Sequence, residues 1–271
     1  MNVGIVGLGL IGGSLAKAIK AQTEHTVYGY NRTEGSLYAA ELYQAVDDRL
    51  TEQTLPLCDL VIVCTPLEAS IAYIKDHAEK FKAGALVVDC CGVKRAICAR
   101  LHELAESSDF TFIGGHPMAG KAVGGFKASS ASLFKGASMI LTPYPETSIA
   151  LREQARDFFL ALGFKKVHFT TPDIHDAKIA FTSQLAHVIS NAYAKSPSVA
   201  GCDDISAGSY RDMMRVSKFD AAMWVELFSE NRDNLMGELD GLIGHLSAFQ
   251  RALDENNTGL MRDLLQATEE D

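Results

Sequence analysis

The chain opens with a short apolar run, Val3-Gly4-Ile5-Val6, followed by glycines spaced Gly7-x-Gly9-x-x-Gly12 ahead of a helix-like stretch. This strand–glycine–helix order restricts the fold more than any other feature. The first glycine permits a tight turn, the second lets backbone approach a pyrophosphate, and the third lets helix and strand pack closely. The amino terminus of the helix then meets an anion with free N–H groups. The pattern predicts a dinucleotide site formed by Gly7, Gly9, Leu10, Ile11 and Gly12. A lone glycine motif also occurs as a purely structural turn, but its place directly after a first strand argues for the ligand.

The rest of the amino-terminal part agrees. Short apolar runs at 3–6, 26–30, 59–64, 85–89, 110–113, 138–141 and 166–170 read as strands. Helix-like stretches at 12–21, 68–81, 94–106 and 148–162 lie among them. Such alternation predicts a parallel sheet with helices on both faces. After Pro172 no convincing strand pattern returns. Residues 174–195 and 207–216 read as helices, and 221–253 carries apolar residues at three- and four-residue spacing without a proline. As one helix that last segment would reach ~48 Å, too long for a compact domain of its size. Its stripe is expected to pack on a second subunit, making a homodimer; folding back within one chain is the alternative. Gly237, Gly241 and Gly244 are the positions expected to break it or to allow close helix contact. The expectation is an α/β fold in two domains, residues 1–171 for the dinucleotide and 172–271 all-helical.

Composition narrows the partners. A formal net charge of −9 argues against nucleic acid and makes any local basic cluster informative. No apolar run reaches the ~18 residues needed to span a bilayer, and the start lacks the pattern of a secretory signal. The six cysteines form no CxxC pair. A zinc site is not expected, and Cys64 and Cys90 read as buried reduced thiols. A cytoplasmic protein without a metal is the expectation.

Two further segments carry chemistry. The second strand ends in Asn31-Arg32-Thr33, where an NAD site usually places a carboxylate for the ribose hydroxyl. Arg32 could instead pair with a 2′-phosphate, with Thr33 adding a hydroxyl, so NADP is favoured over NAD. Glu34 is the contrary feature, since it could serve the ribose. Thr65 and Pro66 form the loop after the 59–64 strand and are expected beside the nicotinamide. His116 follows a strand and two glycines in GGHPMAG (114–120). A histidine on such a loop can accept the proton of a hydroxyl as hydride leaves the neighbouring carbon. A histidine bonded only to local backbone is the plainer alternative. His187, on an apolar helix, is as readily a core residue as a site residue.

In order along the chain, GLGLIGGS, DCCGVK (89–94), GGHPMAG, SQLAH (183–187), YRDMMRVSK (210–218) and MWVELFSEN (223–231) resemble the prephenate and arogenate dehydrogenases of tyrosine biosynthesis. The resemblance implies a Rossmann-like domain followed by an all-helical dimerisation domain. It implies oxidative decarboxylation of prephenate to 4-hydroxyphenylpyruvate, or of arogenate to tyrosine. His116 would take the substrate hydroxyl's proton and Arg215 would hold a carboxylate. Lys94, Lys121, Gln184, His187 and Arg211 are further substrate-binding candidates, and Lys218 flanks Arg215 as Arg211 does. Without the resemblance, the basic run 211–218 would read as a solvated helix face.

This chain departs from the family at several points. Gly92 stands where many relatives have serine, and Ala122 where many have a glutamate. Gln184 replaces a histidine found in some, and the proline often seen before Met-Trp is absent. The missing carboxylate beside Lys121 favours prephenate over arogenate, whose ammonium would seek an anion. Two domains are expected to fill these 271 residues, so that neither a fused mutase nor a regulatory domain is expected within them. The competing readings are a β-hydroxyacid or imine-type NADP oxidoreductase and a non-catalytic NADP sensor. The first leaves HPMAG unexplained, and the second leaves His116 and Arg215 without a purpose.

Overall fold

The structure, a computed structural model, describes residues 1–121, 123–202 and 205–266. Eight strands form one sheet: β1 (Asn2–Val6), β2 (Thr26–Tyr30), β3 (Asp48–Arg49), β4 (Leu60–Val63), β5 (Leu86–Asp89), β6 (Thr111–Pro117), β7 (Ser138–Pro143) and β8 (Lys166–Phe169). Their order is β3-β2-β1-β4-β5-β6-β7-β8. Helices α1 (Leu10–Gln22), α2 (Glu34–Leu42), α3 (Leu67–Asp76), α4 (Arg95–Glu106) and α5 (Ile149–Ala161) cover it. Alternate residues of β4 show why both faces are apolar. Leu60 and Ile62 join the core cluster that contains Leu15 and Ile19 of α1, while Val61 and Val63 join the one that contains Ile71 of α3 and Ile97 of α4.

The sheet is not wholly parallel, as the strand–helix alternation had led us to expect. β7 runs antiparallel to β6, with Gly115 opposite Leu141 and His116 opposite Ile140. Among its described residues, the connection from β6 to β7 contains only the short 3₁₀ turn Phe126–Ala128, and a parallel return needs a crossover element. All other pairings are parallel. β3 and α2 carried no signal in the sequence reading. Cys64 and Cys90 are half-buried at the carboxyl ends of β4 and β5, not fully enclosed as expected, and all six cysteines are free.

From Pro172 onward the described chain is helical. α6 (Pro172–Ile179) passes through a π-helical segment (Ala180–Leu185) into α7 (Ala186–Ala194), and α8 (Gly208–Val216) packs on α7. The segment 221–253 is not one helix. It divides at Asn231 into α9 (Ala221–Glu230) and α10 (Arg232–Asp254), followed by α11 (Thr258–Leu265). Asn231 is fully buried, with φ −120° and ψ 28°. Its amide donates to the Asp176 carbonyl and to Gln184 Oε1, each at 2.8 Å. These bonds replace the helical path at that residue. The three glycines lie within unbroken α10, and a Cβ at any of them would meet open space. At 23 residues α10 is roughly 35 Å long. Its Met236, Ile243, Leu246 and Leu253 are exposed. Among the described residues no helix is long and apolar enough to cross a membrane.

Candidate active site

Because β2, β1, β4, β5 and β6 are parallel, their carboxyl ends lie along one edge, and β1 and β4 part the chain's winding between them. Open α/β sheets bind ligands at such a switch point. The glycine loop follows β1, Thr65-Pro66 follows β4, residues 90–94 follow β5, and His116 lies near the end of β6. β1 and β6 are three strand spacings apart, roughly 14 Å.

The glycine loop is shaped by close approach. Gly7 has φ +92°, and a Cβ there would lie 2.9 Å from the Cys64 carbonyl and from Thr65 Cγ2. A Cβ on Gly12 would lie 2.0 Å from the Gly7 carbonyl oxygen. Gly9 differs, since its Cβ would meet nothing within 4 Å. The protein leaves that space open at the start of α1, where no side chain caps the free N–H groups. Leu10 and Ile11 form this first turn. A pyrophosphate fits an uncapped helix terminus with open space at its mouth.

Asn31 Oδ1 accepts from the Leu8 N–H at 2.9 Å, and its Nδ2 donates to the Thr33 carbonyl at 3.1 Å. It therefore braces the glycine loop from β2. Arg32 and Thr33 are exposed. Glu34 pairs with Arg49 at 3.2 Å, and Arg49 also binds Glu41 at 2.6 Å. Thr65 Oγ1 bonds Ser70 Oγ at 2.8 Å, and Pro66 precedes α3 on the surface.

Beneath His116 lies a buried ion pair. Lys94 and Asp89, both fully enclosed, are joined through Nζ and Oδ2. Lys94 Nζ also donates to the Gly115 carbonyl at 2.6 Å, and Asp89 Oδ1 accepts the Gly115 N–H at 3.0 Å. The pair thus grips both backbone groups of the residue before His116. Burial, the largest single influence, pulls the Lys94 pKa down, but the Asp89 carboxylate together with Cys91 and Cys98 holds the ammonium above its usual value. A Cβ on Gly115 would lie 2.4 Å from the Asp89 carbonyl oxygen.

His116 is half-buried. Its Nδ1 lies 2.9 Å from Nε2 of His175, whose own Nδ1 lies 2.7 Å from Asp176 Oδ1. His175 and Asp176, one turn into α6, are buried. Asp176 also accepts the backbone N–H groups of Lys94 at 2.8 Å and Arg95 at 2.9 Å, which caps α4. Despite burial, the bond from His175 and these N–H groups hold its carboxyl below the usual carboxylate range. Burial, then His175, then the Lys94 ammonium push the His116 imidazole well below its ordinary value. It is thereby kept neutral, with an unprotonated ring nitrogen, near neutral pH. Among the described residues, no hydrogen bond occupies its Nε2. The sequence reading missed His175 and Asp176; the available signal was a His-Asp pair one turn after Pro172.

The remaining candidates are dispersed. Gln184 is buried, with Nε2 donating to the Leu227 carbonyl at 3.1 Å and Oε1 held by Asn231, so it ties α9 to the π-helical segment. His187 bonds the Ser183 carbonyl at 2.8 Å and stacks on Trp224 with ring centroids 3.9 Å apart. Arg211, Arg215 and Lys218 are exposed on or just after α8, and among the described residues the one acid that Arg215 pairs with is Asp212, at 3.7 Å. Lys121 Nζ donates to the Ala128 carbonyl at 2.8 Å, within the loop that packs on α1. It is close enough to Lys17 to help lower that pKa, after burial. Gly92 lies against α9, where a Cβ would stand 3.2 Å from both Leu227 Cδ atoms. The missing carboxylate at Ala122 lies outside the described residues. Arg95 links α4 to the helical part, donating to both Asp233 oxygens and to Asn231 Oδ1 at 3.1 Å.

Residues 15–168 match the family model described as prephenate dehydrogenase, nucleotide-binding domain, and residues 171–267 match prephenate dehydrogenase, dimerization domain. Cyclohexadienyl dehydrogenase of Zymomonas mobilis is 30% identical over 264 residues, covering 93% of this chain and 88% of that protein. The crystal structure of Synechocystis arogenate dehydrogenase superposes with a TM-score of 0.82 at 27% identity, covering 98% and 96% of the two chains. Prephenate dehydrogenase from A. aeolicus in complex with hydroxyphenyl propionate and NAD+ gives 0.85 at 25% identity, covering 97% and 94%. With both domain models matched in order over nearly its whole length, the chain belongs to the prephenate dehydrogenase family of NAD(P)-dependent oxidoreductases.

Proposed function

We propose that this protein oxidatively decarboxylates prephenate to 4-hydroxyphenylpyruvate, with His116 as proton acceptor. The observation that carries the reading is a half-buried histidine with depressed basicity at the carboxyl edge of the sheet. It is braced from below and behind, and among the described residues no hydrogen bond occupies its Nε2. Residues 1–171 hold the cofactor, and 172–271 complete the substrate site and the homodimer. Gly7, Gly9, Leu10, Ile11 and Gly12 would hold the pyrophosphate, with Thr65 and Pro66 alongside. NAD(P)+ supplies the hydride acceptor when bound. His116 takes the hydroxyl proton as the carbinol carbon is oxidised, and returns it to the phenolate oxygen once carbon dioxide has left. Arg215, loosely paired and exposed, is the cation for a substrate carboxylate.

NADP is the favoured cofactor. Arg32 is exposed beside the loop, while Glu34, the residue that could serve a ribose hydroxyl, is drawn toward Arg49. The six free cysteines fit a reducing, cytoplasmic setting. The test is initial-rate cofactor reduction with prephenate and arogenate, each with NADP and with NAD. Fastest turnover of prephenate with NADP supports every part of the reading. Preference for arogenate moves the substrate assignment, and no turnover of either contradicts it.

A further inference from the structure

We infer that His175 and Asp176 are positioning residues that set the tautomer of His116 and take up the charge it acquires. The inference rests on the proposed role of His116, and its argument is one of donors and acceptors. An ionised carboxylate only accepts, so the 2.7 Å contact to Asp176 requires a proton on His175 Nδ1. A neutral His175 then offers the lone pair of Nε2. The 2.9 Å contact to His116 requires the proton on His116 Nδ1. His116 Nε2 is left with its lone pair, as a base must be. Asp176 therefore dictates, two contacts away, which nitrogen of His116 is basic.

The same chain handles the charge. A proton arriving at His116 Nε2 makes that ring cationic close to Lys94, an unfavourable neighbour. Passing the Nδ1 proton to His175 places the positive charge directly against the buried Asp176 carboxylate. The transfer breaks one N–H bond and forms another, and it reverses when the phenolate reclaims its proton. The charged or titratable groups packed around His116 are Asp89 of β5, Lys94 before α4, and His175 and Asp176 of α6. Among the described residues, Asp176 is the acid that bonds to the histidine pair.

The test is the tautomer itself, read by nitrogen NMR of the whole protein labelled with ¹⁵N-histidine, the His116 signal being identified by its loss in His116→Asn. The expected result near neutral pH is a protonated Nδ1 and an unprotonated Nε2. A protonated Nε2 in the unsubstituted protein overturns the inference. Asp176→Asn is expected to invert the tautomer, because the amide can donate to His175 Nδ1. Its kcat should fall on the order of 10³- to 10⁴-fold, as when a carboxylate partner of a basic histidine is lost, with cofactor affinity retained. Loss of activity with the tautomer unchanged would show a merely structural role and also overturn it. Should Asp176→Asn fail to fold for want of the α4 cap, the spectrum of the unsubstituted protein still decides. Failure of the proposed substrate would appear separately, as absent turnover with the tautomer as stated.

Discussion

Lys94 shows how a buried charge serves a neighbouring residue. A fully enclosed ammonium is tolerated because Asp89 and the Gly115 carbonyl complete its bonding. Its match to the family's lysine after the 85–89 strand suggested a substrate contact, but its Nζ is spent on Asp89 and the Gly115 carbonyl. Lys94→Met should destabilise the fold by about 3–5 kcal/mol, the usual cost of leaving one member of a buried pair alone, measured by denaturant unfolding. A loss below about 1 kcal/mol would deny the clamp. At this scale His116 was legible in the sequence because glycines and a proline frame it. His175 was not, since its importance comes from a contact 59 positions away. Gln184 resembled a substrate ligand by its place in SQLAH, yet its amide is spent on Leu227 and Asn231. Only tertiary packing reveals how its bonds are used.

At the scale of elements, the glycine loop separates packing from binding. Gly12 is required by the Gly7 carbonyl, whereas a Cβ added at Gly9 would meet nothing within 4 Å. Gly9→Ala should therefore unfold at nearly the parental denaturant midpoint while losing at least tenfold in cofactor affinity by fluorescence titration. Gly12→Ala should lose about 1–3 kcal/mol of stability from overpacking. Equal effects on stability would contradict the distinction. The central strands were readable because strands buried on both faces are unbroken apolar runs. The direction of β7 was not, since pairing sense depends on how the intervening loop returns. The break at Asn231 was hidden for a related reason. No proline or glycine marks it, and its cause is the amide's bonds to Asp176 and Gln184, distant in sequence.

At the scale of the molecule, the two parts meet through charge and amide contacts. Arg95 reaches Asp233 and Asn231, while Asp176 caps α4 from the helical side. His116 thus belongs to the sheet, and the His175–Asp176 pair it meets belongs to the helices. The exposed apolar residues of α10 are the expected face for a second copy. Sedimentation should give twice the chain's 29.3 kDa, and Leu246→Glu should shift it toward the monomer. A monomer in the unsubstituted protein would leave that stripe unexplained. The account as a whole depends on His116 as the proton acceptor, so the decisive measurement is kcat/KM for prephenate against pH, for the unsubstituted protein and His116→Asn. Because the imidazole is held below its ordinary value, activity should persist through neutral pH and fall only in acid, below about 6.5. His116→Asn should bind cofactor normally, turn over on the order of 10²- to 10⁴-fold more slowly and lack that acid limb. Parental turnover in His116→Asn, or an unchanged acid limb, would contradict the account.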